Sequence, residues 1–319
     1  MVAPRRRYQT GNRSQSPGRF MGLLGVQNIM SQLQTRREFV AAALTTVGAA
    51  ALPRATWAKQ VTKAAEKPIR IALICDTHTT RGVQNDQPQH KARFDRVIEA
   101  VNASKPDWIL HGGDLTEGAK PEEIEDFKTQ LTALKAPVDW VYGNHDVGAK
   151  LVEGQKSGLT EKRVERIEAE FGPSFWEKTR GGVRVIAANT SLFNSGFTRE
   201  NEQWEFLEKA LGTPATVPTL FLGHYPPFIE REDEAEDPYW NLAPKPRAKL
   251  LELMKSGGVK AMLSGHLHRP LKLRYADIPL IVGPAVCFGL PRETQVIGWT
   301  EVSISTQGGV SAEWRIIDK

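Results

Sequence analysis

Short apolar runs alternate with segments of helical spacing along most of the chain. The run IRIALIC at 69–75 is rich in isoleucine and suits a buried strand, while apolar positions recur with helical spacing over 91–103. The same pattern predicts further strands at 108–110, 138–142, 183–189, 218–223, 260–265, 278–283, 298–305 and 311–317. Further helices are predicted at 121–134, 160–171, 201–211 and 245–255.

This order of elements predicts an α/β fold. Alternating strands and helices are typical of layered α/β proteins, and the run of strands after residue 258 indicates a mixed or antiparallel second half. We therefore expect a four-layer sandwich, in which two mixed β-sheets pack together and helices flank them. No internal repeat of fixed period interrupts this order.

The first 58 residues differ from the rest in charge. They hold eight arginines and one acid, so the remaining 261 residues carry a net charge of −2 although the whole chain carries +5. The basic isoelectric point therefore describes this extension, and we expect no nucleic-acid binding by the body of the protein. Two regions are predicted: the N-terminal extension, 1–58, and one folded domain, 59–319.

The extension resembles an export signal. Arg36 and Arg37 match the twin-arginine consensus, an apolar stretch follows at 39–52, and a small-residue cleavage site ends at Ala58. The stretch is too short to span a membrane, so we expect no stable membrane anchor. The expected partner is the twin-arginine translocation machinery, and the expected location is periplasmic or secreted. Either Met1 or Met30 could be the true start.

Polar residues follow five of the predicted strands. In open α/β sheets, ligands collect at the carboxyl ends of strands, so residues distant in sequence should converge there. Five of the seven histidines of the chain lie in these positions. The segments are Asp76-Thr77-His78, Gly112-Gly113-Asp114, Gly143-Asn144-His145-Asp146, Gly223-His224-Tyr225-Pro226-Pro227 and Gly265-His266-Leu267-His268.

The pair His266 and His268 indicates two metal ions rather than one. Two histidines one residue apart chelate a single ion only from a bent loop, but each can serve a different ion when two ions lie about 3.5–4 Å apart. The other segments supply carboxylates, an amide oxygen and further imidazoles. This mixture of oxygen and nitrogen ligands suits Mn, Fe or Zn.

The ordered set D-x-H, G-G-D, G-N-H-D, G-H-x-P-P and G-H-x-H resembles that of the calcineurin-like metallophosphoesterases. The segment 237–270 is also similar to the subgroup called calcineurin-like phosphoesterase-domain-containing protein 1. The resemblance implies two metal ions and a bridging hydroxide that attacks the phosphorus. It implies metal ligation by one set, Asp76, His78 and His268, by a second set, Asn144, His224 and His266, and by Asp114 as the bridge.

The resemblance gives two residues other roles. His145 would donate a proton or hydrogen bond to the leaving oxygen, and Asp146 would orient His145 or its loop. Arg269, beside the last ligand, could bind phosphate but is first interpreted as a surface residue. Purple acid phosphatases carry a tyrosine ligand shortly after the bridging aspartate, whereas GGDLTEG at 112–118 has none and is similar to the cyclic-nucleotide phosphodiesterase branch.

Three functions remain open at this point. The favoured one is an exported phosphomonoesterase acting on small or protein phosphates. The others are a phosphodiesterase, for example for cyclic nucleotides, and a metal-binding protein without catalysis. We further expect His111 to be a core residue, His90 a surface residue, and Cys75 and Cys287 buried free thiols. The acidic run at 230–237 is expected to be a solvated loop, which could form the rim of the cleft.

Overall fold

The protein is described by a computed structural model that covers residues 67–82, 88–294 and 296–318. Two short 3-10 helices, Thr190–Leu192 and Arg292–Thr294, accompany the regular elements. The strands of this part of the chain are β1 (Ile69–Ile74), β2 (Trp108–His111), β3 (Val138–Trp140), β4 (Trp176–Arg180), β5 (Val183–Ala187), β6 (Thr219–Leu222), β7 (Ala261–Ser264), β8 (Leu271–Tyr275), β9 (Ile278–Val282), β10 (Ile297–Ile304) and β11 (Val310–Asp318). The helices are α1 (Pro88–Ser104), α2 (Pro121–Leu131), α3 (Asn144–Val147), α4 (Glu161–Phe171), α5 (Thr198–Leu211) and α6 (Pro244–Ser256).

The strands form two mixed sheets. The first has the order β11-β10-β1-β2-β3, with β1, β2 and β3 parallel and β10 antiparallel to both of its neighbours. The second has the order β4-β5-β6-β7-β9-β8, in which β5, β6, β7 and β9 are parallel and the two edge strands are antiparallel. The carboxyl ends of the parallel strands are where the polar segments begin.

The strand β1 shows how the layers are built. Its residues alternate between two cores, because successive side chains of a strand point to opposite faces. Ala72 and Ile74 pack in the cluster that contains apolar residues of α1, α2 and α4, such as Phe94. Ile71 and Leu73 pack in the central cluster, where they meet residues of the second sheet such as Leu220.

The second sheet repeats this arrangement on its outer side. Phe221 and Met262 pack in a third cluster with apolar residues of α5 and α6, including Leu207 and Leu250. The layers are thus helices, sheet, sheet and helices. The predicted four-layer α/β sandwich is confirmed.

Two strands of the described chain were not predicted from the sequence. Both β4 and β8 are edge strands. In β4, WEKTR, the residues after Trp176 are exposed, and in β8, LKLRY, half-buried residues alternate with exposed ones. Neither strand therefore contains the continuous apolar run that marks the buried strands.

The start of α1 corrects one prediction. This helix begins at Pro88 rather than at 91, so His90 lies in its first turn and is 1% exposed. Its Nδ1 donates to the carbonyl oxygen of His78 at 3.2 Å. The interpretation of His90 as a surface residue is therefore wrong, because it overlooked proline as a common first residue of a helix.

Two features of the amino-terminal region stay predictions. The twin-arginine signal, with cleavage near Ala58, and the domain boundary at 58/59 lie outside the described residues. Within the described ranges, no helix has the length and apolar character needed to cross a membrane. Cys75 and Cys287 are free and fully buried, as expected.

Candidate metal centre

The seven predicted ligands lie close together, in loops that follow strands of both sheets. Asp76 and His78 follow β1, Asp114 follows β2 and Asn144 follows β3, so the first sheet supplies four of them. The second sheet supplies the others, after β6 and β7. All seven side chains are buried, with at most 7% exposure, in the set Asp76, His78, Asp114, Asn144, His224, His266 and His268.

The donor atoms form two groups that share one carboxylate. In one group, donor atoms of Asp76, His78, Asp114 and His268 all lie within 4.8 Å of one another. In the other, Asp114 is joined at the same spacing by His224 and His266. The amide oxygen of Asn144 lies 3.1 Å from Nε2 of His224 and completes the second group. This division is the one that the resemblance implied, with His266 and His268 in different groups.

Hydrogen bonds fix the orientation of all four imidazoles. Each ring uses one nitrogen to donate to an oxygen outside the cluster, so the other nitrogen faces the centre. The bonds run from His78 Nδ1 to Glu117 Oε2 (2.8 Å), from His224 Nδ1 to the Gly112 carbonyl (2.8 Å), from His266 Nε2 to the Tyr239 carbonyl (2.7 Å) and from His268 Nδ1 to the Phe288 carbonyl (3.0 Å).

The inward-facing atoms are ring nitrogens packed against one another and against a carboxylate. Nε2 of His78 lies 3.2 Å from Nε2 of His268 and 3.3 Å from Oδ2 of Asp114. Nε2 of His224 lies 3.3 Å from the same carboxylate oxygen. Lone pairs this close repel one another unless positive charge lies between them. Divalent cations with oxygen and nitrogen ligands supply such charge, so the residues fit a metal centre.

The pKa values reflect the same need for positive charge. Burial lowers the pKa of an imidazole, but the Asp114 carboxylate outweighs burial at His78 and His224 and raises their pKa to about 10 and about 9. Burial prevails at His266 and His268, whose pKa values are well below the usual range. The Asp114 carboxylate thus favours a proton or a metal cation beside it, whereas the imidazoles of His266 and His268 stay neutral.

The backbone of the site is unusual in five places. Left-handed φ angles are uncommon outside glycine and cluster at functional sites. Hydrogen bonds between loops hold these residues; for example, the amide of His266 donates to Asp76 Oδ1 at 3.0 Å. The residues with positive φ are Asp76 (54°), His78 (44°), Asp114 (54°), His266 (72°) and His268 (52°).

His145 lies beside the centre with a different orientation. Its ring centroid is 4.3 Å from that of His78, and its side chain is 29% exposed. Nδ1 donates to the carbonyl oxygen of Glu117 at 2.8 Å, while the backbone amide donates to Asp114 Oδ1 at 2.8 Å. This leaves Nε2 as the ring nitrogen that a substrate can reach.

Glu117 is a functional residue that the sequence interpretation missed. Its carboxylate accepts from His78 and its carbonyl accepts from His145, so one residue orients two imidazoles of the site. Burial raises the pKa of this carboxyl, but the hydrogen bond from His78 and the positive charges of His78 and His145 together lower it. The available signal was its position three residues after Asp114, because purple acid phosphatases carry a tyrosine ligand shortly after the corresponding aspartate.

Asp146 acts on the loops rather than on the His145 ring. Its buried carboxylate accepts from the backbone amides of Leu115 (3.1 Å), Thr116 (3.0 Å) and Gly143 (2.9 Å). These bonds tie the loop after β2 to the loop after β3. The structure therefore favours the second of the two roles predicted for Asp146, which is to position its loop.

A second residue missed by the sequence interpretation is Tyr239. It lies in the loop 229–243, where its carbonyl accepts from His266 and its hydroxyl is 3.5 Å from Nδ2 of Asn144. The side chain is 41% exposed. The acidic run 230–237 belongs to this loop and ends two residues before Tyr239.

Buried cations anchor the same loop. The guanidinium of Arg247 donates to the carbonyls of Glu232 (3.0 Å) and Glu234 (2.6 Å), and Nζ of Lys150 donates to Glu236 (2.6 Å). The acidic run is thus ordered by specific contacts in addition to being solvated. This gives Tyr239 a fixed place over the second donor group.

Two remaining residues occupy the predicted environments. His111 is buried, its Nε2 lies 3.1 Å from the Thr77 hydroxyl, and burial lowers its pKa to about 3, so it is a neutral core residue. Arg269 is exposed immediately after His268. Its position leaves it free to contact a ligand at the rim.

The chain is similar to known proteins in sequence and in fold. Residues 69–270 match the family model described as calcineurin-like phosphoesterase. Serine/threonine-protein phosphatase CPPED1 of Danio rerio is 29% identical over 70% of this chain and 74% of that one. The cAMP/cGMP dual specificity phosphodiesterase of Mycobacterium tuberculosis is 30% identical over 71% of each chain.

A solved structure shares the fold. The dimetal phosphatase from Danio rerio superposes with a TM-score of 0.51 over 77% of this chain and 98% of that one, at 11% identity. At this level of identity the likeness supports the architecture alone.

We predict that Glu117→Gln weakens metal binding by about 10–100-fold, because the neutral amide no longer reinforces the donor strength of His78. Isothermal titration of chelator-treated protein with Mn²⁺ measures the effect. Glu125→Gln, a change at an exposed carboxylate of α2, is the matched control and should bind metal like the wild type. Equal affinity in both variants would show that Glu117 has no part in the centre.

Proposed function

This chain belongs to the calcineurin-like phosphoesterase family, and we propose that it is an exported phosphoesterase with two metal ions that prefers phosphate monoesters. Membership makes it a metal-dependent hydrolase of phosphorylated substrates. One observation carries the proposal of two ions: Asp114 belongs to both donor groups, and every imidazole in them turns its second ring nitrogen inward.

The proposed ligands follow the two groups. Asp76, His78 and His268 would hold one ion, and Asp114 would contribute to both. The second ion is held by Asn144, His224 and His266. The ions are Mn, Fe or Zn, since these metals accept mixed carboxylate, amide and imidazole ligands. When bound, they activate water for attack on phosphorus and neutralise phosphate charge.

The residues around the ligands position the substrate and move protons. His145 donates from Nε2 to the oxygen of the leaving alcohol, while Glu117 holds the opposite ring nitrogen. The buried walls exclude bulk water from the donor atoms, which strengthens every electrostatic contact with the phosphoryl group. Asp146 keeps the loop of His145 against the loop of Asp114 through its bonds to backbone amides.

The preference for monoesters rests on the relative named a protein phosphatase and on the similarity of 237–270 to that subgroup. A phosphodiesterase is the second candidate, because the mycobacterial relative is equally similar and the segment GGDLTE is typical of that branch. A metal-binding protein without catalysis is the least supported, because such a protein would not need His145 in its oriented position.

We also propose that the protein works outside the cytoplasm. Arg36 and Arg37 precede an apolar stretch and a cleavage site at Ala58, so the twin-arginine machinery would export the folded chain to the periplasm or the medium. A substrate encountered there is more plausibly a small phosphate ester or an extracytoplasmic phosphoprotein than a nucleic acid.

Purified protein should contain about two transition-metal ions per chain and should hydrolyse p-nitrophenyl phosphate faster than bis-p-nitrophenyl phosphate. Elemental analysis and kcat/KM for both esters, with Mn²⁺, Fe²⁺ and Zn²⁺ compared, measure these properties. Faster cleavage of the diester would favour the phosphodiesterase. A metal content near zero that added metal does not raise would contradict the two-ion proposal.

Two histidine variants separate chemistry from metal binding. His145→Ala should keep both metals and lose roughly 10²–10⁴-fold in kcat on an alkyl phosphate, with a smaller loss on p-nitrophenyl phosphate, whose leaving group needs little protonation. His266→Ala should instead lose one metal and recover part of its activity in excess metal. Metal loss in His145→Ala would make His145 a ligand. Full activity on both esters would show that another group protonates the leaving oxygen.

Replacing Arg36 and Arg37 together by lysine should block export through the twin-arginine route. The expected result is unprocessed protein in the cytoplasm, detected by fractionation and by the mass of the chain. The same replacement at Arg5 and Arg6, outside the signal, is the matched control and should leave export intact. Normal processing of the first variant would overturn the proposal.

A further inference from the structure

An apolar pocket lies directly beside the second donor group. It has a volume of about 290 Å³ and is lined by Ile229, Trp240, Leu267, Arg269, Leu290 and Pro291. Leu267 stands between the two histidines of the G-H-x-H segment, so the pocket and the donor groups share one loop. Its size is at the lower end of the range for small-molecule sites, roughly 300–1,000 Å³.

The walls of the pocket are held by the same contacts that hold the histidines. The amide of Leu290 donates to the carbonyl of His268 at 2.8 Å. The ring of Trp240 lies 5.5 Å from that of His266, and the ring of the exposed Tyr239 lies 4.6 Å from that of Trp240. One small molecule can therefore place a ring in the pocket and a phosphoryl group at the donor atoms.

The residue types that line the pocket indicate which kind of ligand it binds. Five of its six residues are apolar, and Arg269 provides the one charge. An indole stacks on flat rings, and a guanidinium stacks on the face of an aromatic system through cation–π attraction. Apolar walls combined with these two groups favour a flat aromatic ring over a hydroxylated chain or a charged peptide segment.

Resting on the proposed function, we propose that this pocket binds the leaving group of the substrate and that the substrate is a small phosphate ester of an alcohol carrying a flat aromatic ring. The phosphoryl group lies at the donor atoms and the ring enters the pocket next to Leu267. A phosphorylated side chain of a protein has no ring on its serine or threonine and would leave the pocket unfilled.

The test compares 2-(1-naphthyl)ethyl phosphate with ethyl phosphate, whose leaving alcohols are similarly acidic. The wild type should prefer the naphthyl ester by roughly 100-fold in kcat/KM, because an apolar group buried in a pocket contributes about tenfold and the two fused rings count as about two such groups. Ile229→Trp, which fills the pocket, should reduce the preference below about tenfold. Both esters are also offered as methyl diesters, so that a diesterase would report the same ratio.

The matched control is Val310→Trp, which fills a different cavity lined in part by Lys255, Arg274 and Val310. It should keep the wild-type ratio. Arg269→Ala changes an exposed side chain that folding does not require, and it should lower the ratio several-fold even if Ile229→Trp does not fold. An unchanged ratio in Arg269→Ala and Ile229→Trp would overturn the proposal.

A measurement without turnover separates this inference from the proposed function. Binding of 2-(1-naphthyl)ethanol, followed by naphthyl fluorescence, should occur in the wild type and be lost in Ile229→Trp. Binding without hydrolysis of any ester would keep the pocket and contradict the proposed function. Hydrolysis of both esters at equal rates, with no binding of the alcohol, would keep the function and overturn the pocket.

Discussion

The buried carboxylate of Asp114 is the interaction on which the rest of the site depends. One oxygen accepts from the amide of His145 at 2.8 Å, and the other lies 3.3 Å from imidazoles of both His78 and His224. A buried charge without compensation costs several kcal/mol, so each neighbour must supply positive potential. His78 belongs to the first sheet and His224 to the second, which makes the packing of the two sheets part of the site itself.

The backbone shows how this arrangement is kept rigid. Residues in left-handed conformations cost about 1–3 kcal/mol each unless their surroundings offset the strain. Here the loops restrain one another: the backbone amide of Asp76 donates to the carbonyl of Gly113, and the backbone amide of His78 donates to that of Asp114, both at 3.0 Å. Gly143 completes the fit, because a Cβ atom there would clash with Asp114. The donor atoms are thus positioned by hydrogen bonds within the protein.

The sequence predicts the parts of the molecule that local patterns encode. Buried strands such as β1 are continuous apolar runs, and glycine beside histidine or aspartate marks their carboxyl ends. The edge strands β4 and β8 escape prediction because exposure removes that run. Glu117 and Tyr239 are not predicted for another reason, which is that their partners are distant in sequence. Glu117 contacts the ring of His78, 39 residues away, and the Tyr239 carbonyl contacts the ring of His266, 27 residues away. Every residue has a backbone carbonyl, so this contact leaves no mark in the sequence.

The loop 229–243 links the chemistry to the choice of substrate. Every phosphate ester contains the same phosphoryl group, so recognition of phosphate cannot by itself distinguish one alcohol from another. The loop carries Tyr239, whose carbonyl orients His266, and Trp240, whose ring lines the neighbouring pocket. Arg247 fixes the loop through backbone carbonyls, and the Asp237 carboxylate accepts from the amides of Tyr239 and Trp240. Because His266 is oriented by a backbone carbonyl, the side chains that line the pocket can change while that contact is kept.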